Sequence, residues 1–274
     1  MQNKIKLTLS AISVASLLSL AACGGGGGDS APAKPADTPT PPPAPAITVQ
    51  GSATAVAGDP LAVVFVPQTE ASTKPVLQSI ASNAFPAQYQ KATSEGAYTQ
   101  IGIDANSLIS LTAGKIVDVA GNGGFSIGRW TAGSSSIGSI SVNQGAHYAV
   151  GKPLALQRVL GPTAKLNCTL QSATSPTAVS GNFAPGKLQA ATAVIDLNGP
   201  VLDSASLDVS IGADAHATAT IGGAAITGIS GSNGVLLHTQ TIGSDQAKPL
   251  LALGYAMPTP SSGDVTGVVV LQCQ

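Results

Sequence analysis

Charge is scarce in this chain. Asp, Glu, Lys and Arg make up 9% of its 274 residues, against roughly a quarter in ordinary soluble proteins. The 12 basic and 13 acidic groups nearly cancel. So weak and balanced a charge gives no electrostatic footprint for nucleic acid and none for an acidic partner. Aromatic residues are also rare, at 3%. Glutamate occurs only at Glu70 and Glu95, and nothing around them points to the positioned carboxylate pair of a glycosidase. The three histidines, His147, His216 and His238, fall into neither an HxxxH nor an HExxH spacing and stand near no cysteine pair, which argues against zinc. They read instead as a turn residue (His147) and as solvent- or cavity-facing strand residues. Asp203, Asp208 and Asp214 lack the alternating acids and closing glutamate of a calcium loop. No G-x-S-x-G elbow stands on a strand–helix turn, and no Walker motif occurs. The glycine stretches at 24–28 and 121–124 lack the strand–helix context of a phosphate cradle. The expectation is a protein that is not an enzyme, with no metal and no cofactor.

No apolar run is long enough to make a confident membrane helix. The longest, 7–22, is shorter than the roughly 20 residues a span requires and is rich in serine. It follows Lys4 and Lys6 and ends on small residues, the layout of a secretory signal peptide. Leu20-Ala21-Ala22-Cys23 resembles a bacterial lipobox. That resemblance implies that residues 1–22 are removed and that Cys23 is lipidated and becomes the mature N-terminus. It places the protein at the outer membrane, on the periplasmic side or the cell surface, with the membrane as a partner through the lipid.

Residues 23–46 read as a disordered linker. Five glycines, Gly24 to Gly28, are followed by a stretch holding Pro32, Pro35, Pro39, Pro41, Pro42, Pro43 and Pro45. Glycine makes such a tether flexible, and proline extends it at about 3.1 Å per residue. A folded body of roughly 225 residues follows, room for one large or two small domains.

That body reads as all-β. Residues 47–145 predict a smaller, irregular β region, with strands at 61–66, 98–103, 108–111, 115–119, 125–130 and 137–142. Residues 76–91 also admit a helix, since Leu77, Ile80 and Ala81 lie at i, i+3 and i+4, although Pro86 cuts it short. Residues 146–274 predict an eight-stranded antiparallel up-and-down barrel. Its runs are 164–171, 187–197, 205–211, 215–221, 225–230, 235–241, 250–256 and 265–273, separated by turns rich in Gly, Pro, Asn and Asp. In the first run Leu166, Cys168 and Leu170 alternate with polar residues. The barrel is expected to be soluble, because its strands lack aromatic girdles and several look shorter than the 9–11 residues of a spanning strand.

Setting Cys23 aside leaves Cys168 and Cys273, one pair in an exported protein. They lie in the first and last runs, which become neighbours if the sheet closes, and adjacent strands offer the separation a disulfide needs. Such a bridge closes a loop of about 105 residues, worth up to roughly 4–5 kcal/mol in a loop-entropy account. Two buried free thiols are the other reading.

One cluster is less generic. Gly124-Phe125-Ser126-Ile127-Gly128-Arg129-Trp130 is followed by His147-Tyr148-Ala149-Val150-Gly151-Lys152-Pro153 and then by the barrel-like series. Residues 124–274 resemble segments of FecR-domain-associated envelope proteins of Gram-negative bacteria and the small eight-stranded barrels of transferrin-binding-protein-like surface lipoproteins. The resemblance implies a barrel in a cell-envelope setting and carries no catalytic residues. No FecR-type regulatory segment stands upstream, so an iron-signalling role is not carried over. Arg129, Trp130, His147 and Tyr148 read in two ways. They pack a strand pair against the barrel wall, or they form a ligand patch, since Trp, Tyr and Arg dominate binding hot spots. The expected role is presentation of the barrel module to a protein or envelope partner. The alternatives are a carrier with a small apolar ligand inside the barrel and an envelope enzyme without a recognisable motif.

Overall fold

Two β-sheets make up nearly all the regular structure of residues 46–161 and 164–274, the part of the chain that the computed structural model describes. The expected signal peptide, Cys23 and the linker up to residue 45 lie outside these residues. The first sheet comprises β1 (Ile47–Ser52), β2 (Leu61–Val66), β3 (Ile80–Phe85), β4 (Lys91–Ala92), β5 (Tyr98–Gly102), β6 (Leu108–Gly121), β7 (Phe125–Ser135), β8 (Gly138–Ile140) and β9 (Ala146–Gly151). Its strands run in the order β3-β2-β9-β7-β6-β5-β4, with β8 on β7 and β1 parallel to β6. The sheet curls around an aromatic core in which Phe65 and Trp130 lie 5.3 Å apart and Tyr98 meets Tyr148 edge-on at 6.0 Å.

The second sheet comprises β10 (Lys165–Ala173), β11 (Thr177–Ala178), β12 (Lys187–Asp196), β13 (Val201–Ile211), β14 (Asp214–Ala224), β15 (Gly228–Ser232), β16 (Val235–Ile242), β17 (Leu250–Thr259) and β18 (Gly263–Cys273). Leaving out the short β11, eight antiparallel strands follow one another in a meander, and the first, β10, pairs with the last, β18. The expected up-and-down barrel is therefore present, nearly closed. Cys168 and Cys273 are cross-strand partners joined by a disulfide. The remaining gap lies between β14 and β15, where Ser232 Oγ and Asn233 Nδ2 donate to the Gly222 and Thr220 carbonyls.

The barrel does not begin at 146. Residues 146–151 form β9, which sits between β2 and β7 in the first sheet, and the second sheet starts at Lys165. Residues 76–91 are not helical. They give β3, whose Ile80 pairs with Phe65, and a single 3-10 turn at Ala87–Tyr89. Sheet pairing satisfies a run of backbone groups there, whereas a helix broken by Pro86 would bury no face: Leu77, the first residue of the expected stripe, is 94% exposed. Two finer readings also change. Leu170 is exposed, at the point where the β10–β18 register shifts. Six of the eight barrel strands reach 9–11 residues, so strand length does not argue against a spanning barrel.

Side-chain alternation explains how the sheets pack. In β2, Leu61, Val63 and Phe65 enter the first core. Ala62, Val64 and Val66 point the other way into a layer shared with Ile242, Leu250, Ala252, Val268 and Val270 of the second sheet. Strands buried on both faces read as continuous apolar runs, and strands with one wet face alternate. Accordingly β2, residues 250–257 of β17 and residues 267–271 of β18 are continuous apolar runs, whereas β10, β12, β13 and β14 alternate. The sheets approach closely at Gly254 of β17. A β-carbon there would collide with the side chains of Val64 and Val66.

Removing the disulfide should cost the barrel up to about 4–5 kcal/mol, the entropy of the long loop it closes. Urea denaturation of the Cys168→Ala/Cys273→Ala protein, compared with wild type, measures this; an unchanged midpoint would show that the β10–β18 ladder alone holds the closure.

Candidate functional site

The four residues singled out by sequence do come together, on the neighbouring strands β7 and β9, where Arg129 is opposite His147 and Gly128 is opposite Tyr148. They do not form a surface patch. Trp130, His147 and Tyr148 are fully buried and Arg129 is 5% exposed. Alternation splits them between two environments. Trp130 and Tyr148 face the first core, where the indole Nε1 donates to the Tyr98 carbonyl at 2.7 Å and the Tyr148 hydroxyl accepts from the Tyr98 amide at 3.0 Å. The Tyr148 ring lies across Gly128, where any β-carbon would strike it. Burial in this core pushes the Tyr148 hydroxyl far above the ordinary tyrosine range.

Arg129 and His147 face the second sheet. Asp118 sits at a bulge in β6 with φ 57°, a left-handed conformation that Asp adopts more readily than most residues. From there its carboxylate accepts from Arg129 Nε at 2.8 Å and from the Ser175 amide at 2.9 Å. His147, expected in a turn, is instead a β9 residue. Its Nδ1 lies 2.8 Å from Thr174 Oγ1 and its Nε2 2.9 Å from Thr177 Oγ1. A neutral imidazole donates through one nitrogen and accepts through the other, and hydroxyls suit both roles. Burial first, and the neighbouring Arg129 charge second, hold the His147 pKa well below its ordinary value.

A second buried polar group lies elsewhere between the sheets. Glu70 follows β2, and His238 belongs to β16; both are fully buried, with His238 Nε2 2.9 Å from Glu70 Oε1. The other carboxylate oxygen of Glu70 accepts from the Val76 amide and from Ser79 Oγ. Ser79 N also donates to the Val76 carbonyl, so residues 76–79 form a fixed turn with Leu77 at its tip. Ser72, earlier in the same loop, is held by Asp264 of β18 through its amide and hydroxyl. His216, in contrast, is an exposed partner of Asp208 on the barrel exterior.

This turn forms one wall of a half-open cleft of about 480 Å³ beside β3. Ile80 and Phe85 of β3 continue that wall, and Ile103, Leu108, Ile109 and Ile137 line the rest. Gln78, Asn106, Ser107 and Ser136 complete the lining, which contains no charged side chain. Backbone and hydroxyl hydrogen bonds also pin the far side: Ser136 N donates to the Ser110 carbonyl at 2.8 Å, and the Ser110 amide donates to Ser136 Oγ at 3.0 Å. Sequence reasoning did not single out this cleft. Its one local signal was the Val76-Leu77 pair between Pro75 and the polar Gln78-Ser79.

Among the described residues no cluster of three or more His, Cys, Asp or Glu side chains is arranged to hold a metal ion. The lining of the cleft combines apolar side chains with neutral polar ones.

The buried histidine makes stability depend on pH. Below the ordinary histidine value of 6.5 the unfolded chain takes up a proton that folded His147 refuses. Its contribution is therefore complete above that value and is lost as pH falls toward the lowered folded pKa, by up to about 1.4 kcal/mol per pH unit. Denaturation of wild type and His147→Gln at neutral pH and near pH 5 should show the smaller acid loss in the variant; equal losses would remove His147 as the cause. Comparison of the chain with protein-family models, with characterised proteins and with solved structures finds no match.

Proposed function

We propose that this chain is a lipid-anchored cell-envelope protein that holds a two-sheet body on a Gly/Pro-rich tether and presents it to a binding partner. Lipidation at Cys23 and the setting implied by transferrin-binding-protein-like lipoproteins belong to this reading. The observation that carries it is the contrast between the two sheets. The inward residues of the barrel, among them Ile195, Leu207, Leu253, Tyr255 and Met257, form one contiguous buried cluster. An eight-stranded barrel filled in this way is a support rather than a container. The first sheet keeps an open apolar cleft of the size that ligand sites have. The carrier alternative, with its ligand inside the barrel, is thereby redirected to the first sheet.

The outward faces of β10 and β12–β14 support a body that stands in water. They carry Lys165, Asn167, Gln189, Asp203, Thr218 and Thr220 at exposed positions, where a spanning barrel would place an apolar band.

The wild-type protein should sediment with membranes, and Cys23→Ser should shift it to the soluble fraction; equal fractionation of the two would overturn the anchor. Protease treatment of intact cells then reads the side. Digestion shows outward display, and protection confines the partner to the periplasm.

A further inference from the structure

The cleft is held open by its surroundings. Two apolar walls in water close on each other unless something keeps them apart, because closure removes apolar surface from solvent. Here the Leu77 turn is fixed from behind by Glu70, itself fixed by His238. The opposite rim is fixed by the Ser110–Ser136 hydrogen bonds. Leu77 consequently stays 94% exposed and Ile103 45% exposed, each beside apolar neighbours that it does not cover. Breaking a buried carboxylate–histidine pair is costly, yet such a pair adds little net stability; what this one does is position a turn.

The chemistry of the lining selects the occupant. No charged side chain borders the cleft, so an ionised group entering it would lose hydration without gaining a partner. The polar groups present, the amides of Gln78 and Asn106 and the hydroxyls of Ser107 and Ser136, are neutral. The volume, about 480 Å³, lies within the range of small-molecule sites.

We propose that this cleft binds an uncharged, largely apolar small molecule, such as an alkyl chain or small ring system ending in a neutral polar group. The inference rests on reading the protein as a binding protein; it does not depend on where the protein is anchored.

The test uses the full chain carrying Cys23→Ser, oxidised, so that no acyl chains of its own compete. The probe is N-phenyl-1-naphthylamine, which is neutral, apolar and fluorescent when desolvated. Saturable one-site binding is expected, with displacement by decan-1-ol and at least about tenfold weaker displacement by decanoate, whose carboxylate finds no partner. Ile103→Asp should weaken the probe at least about tenfold by placing a charge in the wall. Asn106→Trp, at an exposed rim position, should block the cleft without disturbing the core. Val142→Asp, also at an exposed position but outside the lining, should leave binding unchanged. Non-saturable fluorescence would overturn the proposal, as would equal displacement by the alcohol and the acid or equal losses from Val142→Asp and Ile103→Asp. Because this titration is done on purified protein, its failure would leave the membrane fractionation result standing, and the reverse also holds.

Discussion

The structure depends on one apolar layer, the one trapped between the two sheets. Val64 and Val66 of β2 and Ala149 of β9 meet Ala252, Val268 and Val270 of the second sheet across it, and Gly254 lets the backbones approach. Every strand that contributes to this layer also contributes to a second core on its other face. Two-sided burial leaves no position for a charged side chain on β2 or β9; His147 of β9 stands fully buried at the interface and is held neutral there. The low charge of the chain follows in part from this arrangement. Three apolar layers are stacked in about 225 residues, and the strands facing water on one side carry much of what charge there is.

Apolar contact is not directional, so the layer alone does not fix how one sheet lies on the other. Polar contacts do. Asp118 ties Arg129 to the Ser175 backbone, His147 bridges Thr174 and Thr177, Ser72 is held by Asp264, and Glu70 meets His238. Buried groups of this kind give back in hydrogen bonds roughly what they lose in hydration. Their consequence is registry, because any sliding of the sheets leaves buried donors and acceptors unmatched. The Glu70 group extends this registry outward to the turn that carries Leu77, so the geometry of the cleft is tied to the packing of β2 on β16.

The barrel was legible in the sequence because its strands obey two simple patterns. Alternation marks β10 and β12–β14, and continuous apolar runs between turn residues mark β17 and β18. With eight strands in a meander, the positions of Cys168 and Cys273 in the first and last were enough to place them side by side. The start of the barrel was not legible. Residues 146–151 carry the same apolar signature as a barrel strand, and their pairing with β7 and with β2, the latter more than 80 residues earlier in the chain, assigns them to the first sheet. The same limit applies to Arg129, Trp130, His147 and Tyr148. Their types fit a hot spot as well as they fit a core, and what separates the two readings is the second sheet lying against β7 and β9.

The cleft was hidden for a related reason. Its walls come from β3 and the turn before it, from the β5–β6 connection and from the β7–β8 turn, segments that no period of 2 or 3.6 links. Leu77 in isolation is an ordinary exposed leucine, of the kind that needs no explanation. It acquires one through Glu70, a carboxylate withdrawn from water seven residues away whose hydrogen bonds hold the turn below it. One of only two glutamates in the chain is thus fully buried, and the structural return is a displayed leucine beside an uncharged cleft. A turn that served only to connect β2 to β3 would need neither the buried carboxylate nor the histidine that meets it.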